Sequence, residues 1–299
     1  MGTVFLTGAT GFVGRSVLRA LREHDHRVRC LLRPGSEARL PTREGVEVVP
    51  GDVAVPGPWM KALGGCDAVV HLVGIIREFP GRGITYDRLL VQGTRNVLEA
   101  ARAGGVRRHI QMSALGTRPN AVSGYHRAKW QVEEAVRGSG LRWTIFRPSI
   151  IFGPEDEFVN MLAGMIRRLP VVPVIGDGRY RLQPVAVEDV ALGFVRALTM
   201  EESVGQTYIV AGPEPYEFNR LLDLIGEVMG RPRVLKLHHP IALMRPLVAA
   251  FQRVPFFPLT LDQLTMLKEE NVADPAPFAR AFGVTLTSFP EGIRRYLGR

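Results

Sequence analysis

The segment TGATGFVG, Thr7 to Gly14, constrains the fold of this chain more than any other stretch. A short apolar run, Val4 to Thr7, precedes it, and an amphipathic helical pattern from about Arg15 to Glu23 follows it. In a strand–turn–helix unit, Gly8 permits the tight turn. Gly11 lets the backbone approach a pyrophosphate, and Gly14 lets the helix pack on the strand. The helix start offers unpaired N–H groups and a partial positive charge to an anion. Thr10 and Phe12 lie inside the same turn and join the three glycines as candidate ligand contacts.

Downstream, strand and helix patterns alternate. RVRCLL, VEVVPGD, DAVVHLVG and RRHIQMSA read as the second to fifth strands. Leu89, Leu90, Val97, Leu98 and Ala101 recur at helical spacing before the stop at Gly104-Gly105. A helix near Ala128 to Gly138 leads to a sixth strand, RWTIFRP. Alternation of this kind predicts an α/β fold: a Rossmann-like, doubly wound parallel sheet with right-handed crossovers and helices on both faces. The strands are nearly continuous apolar runs, as strands buried on both faces should be. After about Pro148 the alternation weakens and Pro and Gly become frequent. Residues 1–150 are therefore expected to form the nucleotide-binding core, with later segments around 170–200 contributing. Residues 151–299 are expected to form a smaller mixed α/β substrate lobe, including the helix FNRLLDLIGEVMG and the strand QTYIV.

Composition narrows the function. Cys30 and Cys66 are the two cysteines, without CxxC spacing, so neither a disulfide framework nor a thiolate metal site is expected. His238-His239 has no ligand partners at zinc spacing, so no metal is expected. The net charge of +9 is spread along the chain, and only Lys61, Lys129, Lys236 and Lys268 are lysines, leaving 34 arginines among 38 basic residues. No nucleic-acid motif accompanies that charge, and nucleic acid is not an expected partner. The N-terminus lacks a basic region and a cleavage site, and no apolar run reaches the ~18 residues of a spanning helix. A cytoplasmic location is expected. The apolar, arginine-dotted stretch Pro240 to Leu259 leaves a peripheral membrane location open.

Two further features bear on chemistry. The second strand ends CLLRPGS, with Arg33 nineteen residues after Gly14, where NAD binders usually carry an acid for the adenosine ribose. Arginine can pair bidentately with a 2′-phosphate, which favours NADP(H) over NAD(H). SGYHRAKW places Tyr125 and Lys129 one helical turn apart. Ser123-Gly124 reads as a helix cap, which puts Tyr125 in the first turn, near the carboxyl edge of the sheet where the cleft should lie.

With TGATGFVG, SALG and YHRAK in one chain, the sequence resembles the short-chain dehydrogenase/reductase superfamily, in its extended or atypical, epimerase/dehydratase-like form. MSALGT, RYRLQPVAVEDVA and LTLDQLTMLKEENV make it most like the branch containing the dinucleotide-binding accessory subunit of respiratory complex I and its bacterial relatives. The resemblance implies that Asp52, with Val53, meets the adenine, and that Leu72, Val73 and Gly74 of HLVG lie under the cofactor. The same resemblance implies that the backbone at the sixth-strand exit, here Pro148, lines the nicotinamide. It also implies three catalytic residues: Tyr125 as general acid/base, Lys129 to tune the phenol and hold the ribose, and Ser113 to orient the substrate oxygen. A free phenol has a pKa near 10, and a nearby ammonium favours its ionised form. Two positions depart from the pattern: Leu90 replaces an asparagine and Ala186 a histidine. The expected activity is an oxidoreductase or epimerase acting at a carbonyl or secondary alcohol. The alternative is a non-catalytic cofactor-binding protein serving assembly or redox sensing, associated with a respiratory complex. Arg77, Arg179, Arg181 and Gln183 are the candidates to select an unidentified small-molecule substrate. The oligomeric state stays open.

Overall fold

The computed structural model describes residues 2–252, 259–267 and 269–298. The chain divides into two compact units. The first runs to Pro148 and includes Glu188–Ile209 and Pro277–Val284; the second comprises Ser149–Val187, Val210–Ala276 and the residues from Thr285 onward.

The first unit is built on β1 (Thr3–Thr7), α1 (Phe12–Glu23), β2 (Arg27–Leu32), β3 (Val46–Pro50), β4 (Ala68–His71), α2 (Gly93–Ala103), β5 (Arg108–Met112), α3 (Gly124–Arg137) and β6 (Arg142–Pro148). Later in the chain, α4 (Val187–Ala197) and β7 (Gln206–Val210) follow. The sheet order is β7-β6-β5-β4-β1-β2-β3, with β1 to β6 paired in parallel. The expected Rossmann-like architecture is therefore present. Strand order reverses between β1 and β4, where Thr7 pairs with His71. Ligands of open α/β sheets bind outside the carboxyl ends of the strands at such a reversal. The glycine turn leaves β1 at this point.

One assignment changes. QTYIV, grouped with the lobe on sequence, is β7 and borders β6 at the sheet edge. Its return is held by aromatic packing: Phe146 of β6 meets Phe194, Tyr208, Phe278 and Phe282 at centroid distances of 4.8, 6.1, 5.9 and 5.2 Å. Buried Arg108 adds bonds from Nε and Nη2 to the Ala197 carbonyl (3.1 and 2.6 Å) and from Nη2 to Thr144 and Ser203 hydroxyls (2.6 and 2.7 Å). Burial lowers this guanidinium to about 10.

The core of the second unit lies between helices Phe158–Arg168, Phe218–Val228 and Phe289–Leu297, with Phe152, Leu162, Leu221, Ile225 and Ile293 at its centre. Strand Val172–Ile175 pairs in parallel with Lys236–His239. Among the described residues, no helix is long and apolar enough to cross a membrane. Of the stretch Pro240 to Leu259, residues 253–258 lie outside the described residues.

Candidate cofactor site

The glycine turn follows from backbone geometry. Gly8 has φ +80°, and a Cβ there would lie 3.1 Å from the Leu72 carbonyl carbon and 3.2 Å from the Val73 nitrogen. A Cβ on Gly14 would lie 1.9 Å from the Gly8 oxygen. The fold itself thus requires these two glycines. Gly11 differs: a Cβ there meets nothing closer than 3.4 Å, so the protein interior does not demand a glycine. Its N–H donates to the Gly8 carbonyl at 3.0 Å. Gly11 is also the N-cap of α1, with no side-chain cap and no acidic residue in the first turn. The leading N–H groups of Phe12, Val13 and Gly14 have no acceptor within the helix and no acid of the first turn beside them. A bare helix start beside a glycine that packing does not explain fits a pyrophosphate. Thr10 and Phe12 are partly buried in the same turn.

The β2 exit brings Arg33 and Asp52 together, because the Gly51 N–H donates to the Leu32 carbonyl at 2.8 Å. Arg33 is exposed, and its guanidinium pairs with no carboxylate among the described residues. Asp52 uses Oδ1 to accept the Ala54 N–H at 2.9 Å, which shapes the loop. Val53 is buried; its carbonyl accepts from Asn96 Nδ2 at 2.7 Å, and its side chain packs over Gly93 of α2. Val53 is thus a structural tie for the Asp52 loop.

At the β4 exit, the Leu72 N–H continues the ladder to Thr7 at 3.3 Å. His71 is buried between Thr7 Oγ1 (2.6 Å) and Thr94 Oγ1 (3.1 Å). Burial, reinforced by His109 and Lys129, holds this imidazole well below its usual range, so it is neutral. A Cβ on Gly74 would lie 3.7 Å from Lys129 Nζ. Gly8, Leu72, Val73, Gly74 and Lys129 therefore line one place at the strand reversal.

The Ser123 hydroxyl caps α3 by accepting the His126 N–H at 3.0 Å, which puts Tyr125 in the first turn. Tyr125 packs edge-on against Tyr86 at 5.9 Å, beside Leu90, Val91, Ala128 and Val132. Leu90 is 1% exposed and forms part of an apolar wall where the family pattern has a polar asparagine. Lys129 is also 1% exposed; its Nζ donates to the Met112 carbonyl at 3.0 Å and lies 5.8 Å from the Tyr125 ring centre. Burial lowers the ammonium to about 8, against a smaller raising effect of Glu133. Burial likewise pushes the Tyr125 phenol up, above its ordinary value. Desolvation, not the lysine, thus sets the resting state of the pair, and the phenol is protonated.

Ser113 is 2% exposed, and its Oγ donates to Glu133 Oε1 at 2.6 Å. Arg147 holds the same carboxylate through Nε (2.8 Å) and Nη2 (2.6 Å), and Arg137 through Nη2 (2.6 Å). The Ser113 proton is therefore committed inside the protein. Sequence reasoning missed Glu133. Its signal was the spacing of Tyr125, Lys129 and Glu133 at successive turns of one helix face. Pro148, beside this network, accepts the Leu115 N–H at 2.8 Å.

The four substrate-selecting candidates fall in different units. Arg77 stacks over Phe79 at 5.0 Å in the first unit. In the second unit, Arg181 forks onto Glu270 at 2.9 and 2.7 Å. Gln183 bonds the Gly212 carbonyl (2.7 Å) and the Ala273 N–H (2.8 Å), so it holds the unit's own loops. Arg179 is exposed, and Ala186 is buried in a strand pairing with Phe152.

A parallel sheet with a glycine turn, a bare helix start and a buried lysine at its strand reversal defines a dinucleotide-binding α/β protein. The NAD(P)H-binding family matches residues 8–162, more than half of the chain, and the chain belongs to it. It is 32% identical over 292 residues to NADH dehydrogenase (ubiquinone) 1 alpha subcomplex subunit 9, mitochondrial, of Arabidopsis thaliana, covering 91% of this chain and 69% of that protein. It is 33% identical over 241 residues to the ceramide reductase of Caulobacter vibrioides, covering 80% and 74%. Among solved structures, UDP-glucose 4-epimerase with UDP-glucose from Thermotoga maritima has a TM-score of 0.77 at 20% identity, covering 99% of this chain and 97% of that one. These findings bear out the resemblance to extended dehydrogenase/reductases and to the complex I subunit. The named relatives are oxidoreductase proteins, and the likeness to the epimerase is one of fold.

Proposed function

We propose that this chain binds NADP(H) in preference to NAD(H) and reduces a carbonyl substrate with Tyr125 as proton donor. The observation that carries the reading is Lys129. It is a buried amine with one hydrogen bond to the protein, at Met112, and it lies beside Gly74 and the Tyr125 ring. An amine has three donors, so Lys129 keeps capacity to hold ribose hydroxyls. Bound nicotinamide supplies hydride exchange with a substrate carbon. The protein's part is to position that carbon and to supply a proton to its oxygen. A phenol kept protonated by burial is an acid in waiting, which suits reduction better than oxidation. The Ser113 proton, held by Glu133, is not available to the substrate oxygen. Arg33, exposed beside the Asp52 loop, supports the NADP(H) preference through bidentate pairing with a 2′-phosphate. A relative named as a reductase supports the reaction class.

A second reading, cofactor binding without turnover, is favoured by the apolar wall at Leu90 and the committed Ser113. The complex I relative supports association with a respiratory complex on that reading. Calorimetric titration with NADPH and NADH, paired with turnover over a carbonyl panel, separates the two. Arg33→Ala is expected to weaken NADPH about tenfold or more and to leave NADH unchanged, as loss of a charge-assisted bond implies. Equal affinity of the wild type for both cofactors removes the 2′-phosphate argument. Tyr125→Phe is expected to abolish turnover with NADPH affinity within a few-fold, because the phenol acts in the transition state. If wild type turns over nothing while Lys129→Ala still loses cofactor, the second reading holds.

A further inference from the structure

The second unit carries an apolar helix that, among the described residues, packs chiefly on the helix Leu261–Leu267 and leaves much of its surface exposed. Ile241–Phe251, IALMRPLVAAF, has no acidic residue and only Val248 buried. Leu243 is 70% and Leu247 44% exposed. Eleven residues form a marginal helix in water, and Pro246 in the interior removes one of its bonds. A helix apolar on nearly all sides is normally covered by something. The patch extends beyond the helix. Ile241 packs on Gly176, at the end of the paired strands Val172–Ile175 and Lys236–His239. Leu235 and Leu237 on that strand and its approach are 63% and 55% exposed.

The charge around the patch is mostly positive, with Asp262 on the neighbouring helix Leu261–Leu267 as an exception. Between Glu227 and Asp262 lie 34 residues containing five Arg or Lys, two His and no Asp or Glu. Arg231 donates to the Ile166 carbonyl at 2.7 Å, which brings it beside exposed Arg167 and Arg168. Arg167, Arg168, Arg233 and Arg245 are exposed and pair with no carboxylate among the described residues. The facing acids are already used: Asp223 pairs with Lys236, and Glu227 with Arg220.

We propose that this face of the second unit docks on an anionic lipid bilayer, with Leu243 and Leu247 entering the headgroup boundary and the arginines meeting the lipid phosphates. A bilayer surface offers a negative layer over an apolar interior, which is what this patch complements. A second copy of the chain brings the same positive charge to the same apolar face, so self-pairing is opposed. The docking does not depend on the cofactor or on turnover.

The test is flotation of the full chain with vesicles of phosphatidylcholine alone, or with one third phosphatidylglycerol. Expected is flotation with the anionic vesicles, at least tenfold weaker with the zwitterionic ones and reduced by 0.5 M salt. Leu243→Asp with Leu247→Asp should lose tenfold or more of the bound fraction. Arg233→Gln with Arg245→Gln should narrow the preference for anionic lipid. Both variants should keep the wild-type melting temperature within a few degrees, because the substituted side chains are exposed. Three results overturn the proposal: no flotation, equal flotation on both vesicle types, or a wild-type dimer in sedimentation that the leucine variant dissociates without any vesicle binding.

Discussion

Replacing Glu133 tests the network that, on the proposed reading, keeps the Ser113 proton from the substrate oxygen. The carboxylate is fully buried and accepts four hydrogen bonds: one from Ser113, two from Arg147 and one from Arg137. In Glu133→Ala all four are lost. Arg147 and Arg137 keep 20% and 29% of their side-chain surface in water, so they rehydrate in part. Ser113 stays dry and keeps only its longer contact to Thr117 Oγ1, at 3.3 Å, for its proton, which costs about 1 kcal/mol. Together with the broken ion pairs, the loss is about 3–5 kcal/mol. In Glu133→Gln the oxygen can still accept from Ser113 and Arg147, while the amide N–H₂ faces two guanidinium donors. The expected loss is smaller, about 2–3 kcal/mol. Urea unfolding followed by circular dichroism measures both. Ser113→Ala completes the series: it removes one bond, costs about 1 kcal/mol, and should leave kcat within a few-fold. A serine donating to the substrate oxygen would instead make kcat fall by about 10²-fold or more on removal. Glu133→Ala unfolding within about 1 kcal/mol of wild type, or a collapse of kcat in Ser113→Ala, refutes the reasoning.

The two inner glycines should respond differently, measured by melting temperature and NADPH titration. Gly14→Ala puts a methyl 1.9 Å from the Gly8 oxygen and should lower both stability and affinity. Gly11→Ala meets nothing closer than 3.4 Å and should melt like wild type while binding NADPH at least tenfold more weakly; unchanged affinity removes the pyrophosphate from this turn. Lys129 gives a pH signature, because its pKa falls from 10.5 to about 8 on folding through burial. The unfolded chain then binds the extra proton between those values, so the burden on stability is full below pH 8 and fades as pH rises toward 10.5. The stability of wild type minus that of Lys129→Met should rise by roughly 3 kcal/mol at most across that window; a flat difference in urea unfolding at pH 7.5 and 10 counts against a buried amine.

What was legible in the sequence is what local pattern encodes. The glycine turn, the alternation that makes six parallel strands, and the cap at Ser123 all depend on residues within a turn or two of one another. β7 was misplaced because its pairing depends on a distant partner. Nothing within Gln206–Val210 itself says that Phe146 and Arg108 will hold its return segment to the sheet. For the same reason the ties of Arg181 and Gln183 were not legible: their partners, Glu270, Gly212 and Ala273, lie 29 to 90 residues away. Val53 reads as a cofactor contact by its place in GDV, and its carbonyl's bond from Asn96, 43 positions on, is not written in that motif.

The site chemistry shows the limit most clearly. Spacing places Tyr125 and Lys129 one turn apart, and a pairwise view then expects the ammonium to draw the phenol toward its ionised form. Desolvation acts on both groups in the opposite sense, lowering the lysine and raising the tyrosine, and it is the larger effect on each. Burial depends on what the fold brings around a side chain: Leu90, Val91 and Val132 against the phenol, and Gly74 and the Met112 carbonyl beside the amine. Two apolar residues of that wall lie on the segment leading into α2, more than thirty positions before Tyr125. On the proposed reading, a tyrosine in such a place is a proton donor first. On that reading it becomes a base only when something bound in the cleft adds positive charge to that of Lys129.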